Sequence, residues 1–368
     1  MVIFLNMSNR LQQDEFFMKR ALVLAKKGFG KVAPNPMVGA VLVKNGKILA
    51  EGFHEYFGGP HAEVNLLNKM NKSQIQGARL YLTLEPCCFL GKTPPCTIFL
   101  ISKGVKDLVV AMRDPNPKVN GKGVKMLKNN GVKIRMGVLE TEARKLNQQF
   151  IKNIKTKLPF VSIKLGITLD GKIGPVSGKP MMITNQQSRE QVHIMRSKVD
   201  AILTTSRTIL NDHPHLGVRL IKGKDPLRVV IDSQLRTSID EKVYRDTNVM
   251  VATTLRSPLK KRFAFQKKGI KLLLYKTSKV PLKKLLQDLY KLGVYSVMVE
   301  AGSHLVTGLL NESLADELVL FVAPKVFSQG ISWLQDYGLN KLKKGFSLKE
   351  VRLKRYDDDV MISGTLVY

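Results

Sequence analysis

Short runs rich in Val, Ile and Leu alternate with segments of helical periodicity along almost the whole chain, and that rhythm confines it to α/β layer folds. Residues 14–27 place Phe17, Ala21, Leu22, Leu24 and Ala25 at helical spacing, and Gly28 is a natural stop. Runs at 38–43 and 48–52 flank Asn45-Gly46, whose residue types suit a two-residue turn with both positions at positive φ, so a hairpin is expected. Beyond it the pattern predicts helices at 61–70, 95–102 and 124–129, and strands at 79–84, 107–111 and 132–136. One charged amphipathic helix over 141–158 is expected to end at Pro159 and mark a domain junction.

The second half repeats the rhythm. Strands are expected at 160–165, 201–205, 227–231, 249–252, 271–274, 296–299 and 318–323, and helices at 187–198, 282–291 and 305–310. The stretch 347–368 alternates like an antiparallel hairpin. A length of 368 residues suits two domains or three. The expected division is an N-terminal extension over 1–13, with Met1 or Met7 as the start, then domains at 14–150 and 151–368. No apolar run reaches the roughly 18 residues of a membrane span, and 1–5 is too short for a signal-peptide core, so a cytoplasmic chain with no membrane partner is expected.

The formal net charge is +31, a field that attracts nucleic acid or phosphorylated small molecules. Its lysines are dispersed along the chain and do not form one tail, which favours solvated surface over a nucleic-acid footprint. The chain's three cysteines, Cys87, Cys88 and Cys96, fall within one segment, a clustering that points to a metal or reactive site and away from a disulfide scaffold.

His61-Ala62-Glu63 and Pro86-Cys87, with Cys96 beyond, belong together chemically. Catalytic zinc takes three protein ligands and keeps a fourth position for water, a need that one imidazole and two thiolates meet. His61, Cys87 and Cys96 are the candidate ligands, and Cys88, next to Cys87, is not expected to share their shell. Glu63 lies close enough to move the proton of an attacking water to a leaving amine without binding the metal. His-x-Glu with Pro-Cys-x-x-Cys marks zinc deaminases of nucleobases, and here the second spacing is longer.

That longer loop, Gly91-Lys92-Thr93-Pro94-Pro95-Cys96, with residues 34–39, Gly52-Phe53-His54 and Asp114-Pro115-Asn116-Pro117, resembles the deaminase half of the bifunctional riboflavin-biosynthesis deaminase/reductases. The resemblance implies a cytidine-deaminase-like α/β/α zinc domain acting on a diaminopyrimidinone that carries a ribosylamino 5′-phosphate. It implies further that Asn35, His54, Lys92, Thr93, Asp114 and Asn116 line the substrate pocket. The family is usually polar near Cys88-Phe89-Leu90, so this loop tip departs from it.

In the second half no Gly-x-Gly-x-x-Gly follows a strand, which leaves a dinucleotide-binding Rossmann fingerprint absent. The run Val297 to Gly308 does read as a strand, a glycine turn and a helix start, a geometry able to hold a phosphate. Lys164 to Ile173, Ile183-Thr184-Asn185, Asn211-Asp212-His213-Pro214 and Val230-Ile231-Asp232-Ser233 resemble the reductase half of the same family, a dihydrofolate-reductase-like α/β domain. By that resemblance NADPH is held by Gly166, Met182, Thr208, Asp212, Ser233 and the run Gly302, Ser303, His304, Leu305, Val306, Thr307, Gly308. Lys164, Pro180, Arg196, Leu216, Arg219 and Glu300 bind the substrate, with Arg196, Arg219 and Glu300 on the sugar phosphate and Lys164 on the ribose, which hydride transfer converts to a ribityl chain. Pro180 and Met182 stand where the family commonly has Ser and Trp. His193, His215 and His304 are read as surface or pocket-edge residues.

Two rival readings stay open on the sequence. One is a nucleic-acid base deaminase, suggested by the same zinc motif and the charge; the other is an active deaminase carrying a degenerate second domain. The loop with Lys92-Thr93 and a complete second α/β domain favour small phosphorylated pyrimidines over nucleic acid, and a homo-oligomer is compatible with either.

Overall fold

The computed structural model describes residues 2–91, 94–177, 181–335 and 345–368. The chain divides into two compact units, residues 1–157 and 158–368. Among the described residues no helix is long and apolar enough to cross a membrane.

In the first unit, strands β1 (Gly39–Lys44), β2 (Lys47–Phe53), β3 (Arg79–Leu84), β4 (Asp107–Met112) and β5 (Lys133–Met136) form one sheet in the order β2-β1-β3-β4-β5. β1 runs antiparallel to β2 and β3, whereas β3, β4 and β5 are parallel. Asn45 and Gly46 close the β1–β2 hairpin with φ of 50° and 73°, as the turn chemistry requires. Helices pack on both faces. Ala62, Leu66, Leu67, Leu100 and Leu127 cover Leu80, Leu82, Leu108 and Val110 on one, while Phe17, Met18, Ala21 and Ala143 cover Val41, Tyr81 and Val109 on the other. Strands buried on two faces read as the continuous apolar runs seen in the sequence.

Glycine decides how closely the layers approach. A Cβ on Gly39 would lie 2.0 Å from the Ala21 carbonyl oxygen, and one on Gly52 would lie 2.7 Å from that of Ala62. The second contact seats helix Ala62–Leu67, which carries Glu63, directly on β2.

The first helix of this unit runs over Val2–Ala25. Buried Asp14 anchors that helix to the sheet, accepting from Tyr81 Oη at 2.7 Å, Arg135 Nη1 at 2.7 Å and Arg79 Nη1 at 3.1 Å. The expected helix over 141–158 is two, Glu140–Leu146 and Gln148–Thr156, broken at Asn147 with φ −104° and ψ 20°. Asn147 is drawn out of helical geometry by Met37, whose N–H donates to Oδ1 at 2.8 Å and whose carbonyl accepts from Nδ2 at 2.9 Å.

The second unit is built on β6 (Phe160–Thr168), β7 (Lys172–Gly174), β8 (Ala201–Thr205), β9 (Leu227–Ile231), β10 (Val249–Thr254), β11 (Lys271–Tyr275), β12 (Ser296–Val299), β13 (Glu317–Ala323), β14 (Ile331–Ser332), β15 (Ser347–Tyr356) and β16 (Asp359–Val367). Nine of these form a sheet in the order β11-β10-β9-β8-β12-β6-β13-β16-β15, and β7 pairs separately with β14. From β11 to β13 every neighbouring pair is parallel; β13, β16 and β15 are antiparallel. Helices Leu282–Lys291 and Ser303–Asn311 bury Leu285, Leu289, Leu305 and Leu309 against Val161, Ile163, Val297 and Val299. On the other face Ile209, Tyr244 and Phe265 meet Ile202, Val230 and Met298. Because β12 inserts between β8 and β6, the strand order reverses there, and in open α/β sheets ligands bind beyond the carboxyl ends of strands at such a point.

Candidate active sites

In the first unit the carboxyl end of β3 leads into Glu85-Pro86-Cys87, while His61 caps helix Ala62–Leu67 and Cys96 is the first residue of helix Cys96–Ser102. His61, Cys87 and Cys96 each offer one atom, all within 4.8 Å of one another, the one such metal-holding group among the described residues. His61 Nδ1 lies 3.1 Å from Cys96 Sγ and 3.7 Å from Cys87 Sγ. Tetrahedral zinc with Zn–N of about 2.0 Å and Zn–S of about 2.3 Å sets N···S edges of about 3.5 Å, so the donor set and its spacing fit that ion. Cys88 turns away, its Sγ 3.7 Å from the Lys118 carbonyl oxygen, as expected of a residue outside the shell.

The electrostatics suit a cation. Cys87 is held down at about 4, first by its hydrogen bond with the Cys96 thiol and then, against burial, by His61. The same contact and burial push the Cys96 thiol up. Glu63 is 3% exposed, and burial raises its carboxyl above the ordinary range while the Cys96 thiol lies within hydrogen-bonding reach. A buried carboxyl beside that donor set is placed to hand a proton on.

Around this cluster stand the residues expected to meet substrate. Asn35 Nδ2 lies 3.1 Å from His54 Nε2, and His54 Nδ1 lies 2.9 Å from the Pro60 carbonyl oxygen, a pairing that suits the Nδ1–H tautomer. The His54 ring meets that of His61 edge-on at 5.4 Å, so Asn35 and His54 form one wall beside the metal ligands. Burial lowers the His54 pKa, which favours the neutral ring. Asp114 and Asn116 follow β4; Asp114 is 7% exposed, and burial raises its carboxyl to about 7. Lys92 and Thr93 lie outside the described residues. The sequence reading gave no role to Glu85, whose carboxylate accepts three backbone N–H groups, although it stands inside the motif that was noticed.

In the second unit Glu300 and Ser233 follow the carboxyl ends of β12 and β9 and Thr208 lies in the helix after β8, while Lys164 and Gly166 lie within β6 and Arg196 ends the helix Gln186–Arg196. Glu300, the first residue past β12 and 9% exposed, accepts from Arg196 Nε at 2.7 Å, from Arg196 Nη2 at 3.0 Å and from Lys164 Nζ at 2.8 Å. Burial alone would raise its carboxyl, but the charges of Arg196 and Lys164 overcome that and hold it well below the carboxylate range. Arg196 Nη1 also donates to the Gly217 carbonyl at 3.0 Å, which fixes the turn bearing buried Leu216 and exposed Arg219.

Toward the cofactor residues, Gly302 caps helix Ser303–Asn311 with no side chain over its first N–H groups. Thr208 lies in helix Ser206–Asp212, whose start is capped by Thr205, and Asp212 closes it. His304 Nδ1 and Arg207 Nη1, 3.1 Å apart, bring the starts of these two helices together. Ser233 follows β9 and accepts the Thr254 hydroxyl on its carbonyl at 2.8 Å. Gly166 sits in β6 where a Cβ would lie 3.1 Å from Thr184 Cγ2. Met182 is 65% exposed, and Pro180 lies outside the described residues.

His193, read as a surface or pocket-edge residue, is buried, and its Nδ1 accepts the Arg219 N–H at 2.9 Å, which excludes the surface alternative. Burial first, then the charges of Arg196 and Arg219, lower it to about 4, so it stays neutral and serves as an acceptor. Its helical position on a polar stretch gave the sequence no sign of this.

Comparison with known proteins matches residues 11–112 to the cytidine and deoxycytidylate deaminase zinc-binding region and residues 159–362 to the RibD C-terminal domain. The riboflavin biosynthesis protein RibD of Aquifex aeolicus (strain VF5) is 38% identical over 350 residues, 95% of this chain and 97% of that protein. RibD of Escherichia coli (strain K12) is 38% identical over 361 residues, covering 92% and 96%. Among solved structures, Acinetobacter baumannii RibD, form 1, superposes with a TM-score of 0.85 at 36% identity, covering 97% of this chain and 100% of that one. A diaminohydroxyphosphoribosylaminopyrimidine deaminase/5-amino-6-(5-phosphoribosylamino)uracil reductase from Thermotoga maritima gives 0.81 at 36% identity, covering 97% and 99%.

Proposed function

The chain belongs to the RibD family of bifunctional riboflavin-biosynthesis enzymes, with a zinc-binding deaminase domain ahead of a reductase domain, and we propose how its own residues divide the work. The first unit deaminates 2,5-diamino-6-(5-phosphoribosylamino)pyrimidin-4-one, and the second reduces the ribosyl group of the resulting 5-amino-6-(5-phosphoribosylamino)uracil to ribityl. The observation that carries the first assignment is the buried Glu63 beside the His61, Cys87 and Cys96 donor set.

Zinc, when bound by those three residues, supplies the Lewis acidity that makes water nucleophilic near neutral pH. Glu63 takes the proton of the attacking water, delivers it to the ring nitrogen, and passes a further proton to the departing amine so that ammonia leaves. Asn35 and His54 hold one edge of the pyrimidine. Asp114 and Asn116, with Lys92 and Thr93, hold the rest of the substrate.

NADPH, the reductase cofactor, supplies the hydride delivered to the opened ribose. Gly166, Met182, Thr208, Asp212, Ser233 and residues 302–308 hold it, a role supported by the uncapped start of helix Ser303–Asn311, which the Arg207–His304 contact brings beside the start of helix Ser206–Asp212. Lys164, Arg196, Leu216 and Arg219 orient the sugar phosphate, and Glu300 keeps Lys164 and Arg196 in place. Pro180 completes the substrate set. With Met182 in place of an aromatic, one aromatic contact to the cofactor would be missing.

The domains are taken as 14–150 and 151–368, and the setting as the cytoplasm, where thiols stay reduced for the metal. Small phosphorylated pyrimidines, not nucleic acid or membrane, are the partners, with self-association compatible. The test is to supply the diaminopyrimidinone to the zinc-loaded chain and follow ammonia release, then NADPH oxidation. Ammonia followed by oxidation supports both assignments, and ammonia without oxidation removes the second.

A further inference from the structure

Glu85 is a buried carboxylate for which the deamination chemistry has no use. It is 2% exposed and stands between the end of β3 and the metal ligand Cys87. Its own N–H donates to the Met112 carbonyl at the end of β4, at 3.0 Å. Its side chain reaches the segment that follows β4: Oε2 accepts the Asp114 N–H at 3.2 Å and the Gly121 N–H at 2.9 Å, and Oε1 accepts the Val124 N–H at 3.1 Å. Gly121 and Val124 are at the start of helix Lys122–Asn129, where exposed N–H groups and the helix dipole favour a negative charge.

The loop between these anchors is the one that carries Asp114 and Asn116. It is tied within itself as well, the Asn116 N–H donating to Asp114 Oδ1 at 2.8 Å and the Lys118 N–H to Asn116 Oδ1 at 3.1 Å. It also lies hard against the cysteine motif, since a Cβ on Gly123 would be 2.2 Å from the Pro86 carbonyl oxygen. One carboxylate therefore grips both ends of the loop while its backbone belongs to the strand end that presents Cys87.

We infer that Glu85 is a positioning residue that fixes the spacing between the metal-ligand loop and the substrate loop, acting through backbone N–H groups without touching the substrate. The inference rests on the deaminase reading given above. Misplacing a binding loop by about 1 Å is enough to cost a large factor in catalysis, which makes such a clamp consequential.

Glu85→Gln in the full, zinc-loaded chain tests this. The amide keeps the side-chain volume but offers one acceptor oxygen and sets an NH2 against at least one backbone N–H. The expected result is a rise of about tenfold or more in the KM for deamination, with kcat changed much less. Zinc content, and NADPH oxidation with the already deaminated uracil compound, should stay at wild-type levels. Amide exchange at Asp114, Gly121 and Val124 should quicken. Glu85→Asp, which keeps the charge but withdraws it, should give an intermediate KM and serves if the Gln variant does not fold. A wild-type KM in both variants, or a loss of zinc that accounts for the whole defect, overturns the inference. A wild-type chain that releases no ammonia overturns the deaminase reading and this inference with it, whereas an active wild type with unaltered variants sinks only the inference.

Discussion

Arg196 meets Glu300 side-on, with Nε donating to Oε1 at 2.7 Å and Nη2 to Oε2 at 3.0 Å, so the fork that could grasp a phosphate is already half engaged by a carboxylate of its own chain. Lys164 completes the cluster at 2.8 Å. Glu300 thereby keeps two partly buried cations from repelling each other.

Removing Glu300 leaves those two cations without their shared anion. Glu300→Ala should destabilise the second unit by about 3–5 kcal/mol, the usual cost of breaking a buried ion pair from one side. The check is denaturant unfolding followed by a probe in that unit, with reductase activity lost and ammonia release from the first unit retained.

The same carboxyl gives a pH signature. Its folded pKa is depressed, so its contribution to stability is in full force above the unfolded value of about 4.3 and is lost as pH falls through the lower folded value. Thermal unfolding measured on the acid side should show the wild type losing stability over that window, and Glu300→Gln should lack that component.

Asp114 titrates with the opposite sign. Its folded pKa of about 7 lies above the unfolded value of about 3.9, so its stabilising contribution is present in acid and is lost as pH rises through 7. In Asp114→Asn the decline in stability between those values should flatten, as melting temperatures across that range would reveal.

Much of this architecture could be read from the residues. Asn45-Gly46 announced its hairpin because positive φ at both positions admits few residue types, and β3, β8, β9 and β12 fell where their apolar runs were dense enough to be buried on two faces. The break at Asn147 was invisible because its cause is the Met37 backbone, distant in sequence. Helix Ser206–Asp212 was hidden for a different reason: it begins immediately after β8, with Thr205 ending one element and capping the next. The donor set His61, Cys87 and Cys96 was legible because ligand chemistry restricts both residue type and spacing. Burial of His193 and the three N–H groups on Glu85 depend on loops folding back from elsewhere, and no local pattern records such contacts.

Loss of the metal should separate the two activities. Prolonged chelation at neutral pH should abolish ammonia release, leave NADPH oxidation with the deaminated substrate intact, and be reversed by added zinc. Simultaneous loss of both activities would mean that zinc supports more than the first unit.

The most direct measurement is mass spectrometry of 2,5-diamino-6-(5-phosphoribosylamino)pyrimidin-4-one after incubation with the zinc-loaded chain and with Glu63→Gln, each with and without NADPH. Wild type should exchange the ring amine for oxygen and, only with NADPH, add two hydrogens to the ribosyl group. The Glu63 variant should retain zinc and reduce the supplied uracil compound, yet exchange the amine slower by a factor of about a hundred or more. Exchange at the wild-type rate in Glu63→Gln would contradict the proton-transfer role on which the account rests, and no exchange by wild type would contradict the deaminase assignment itself.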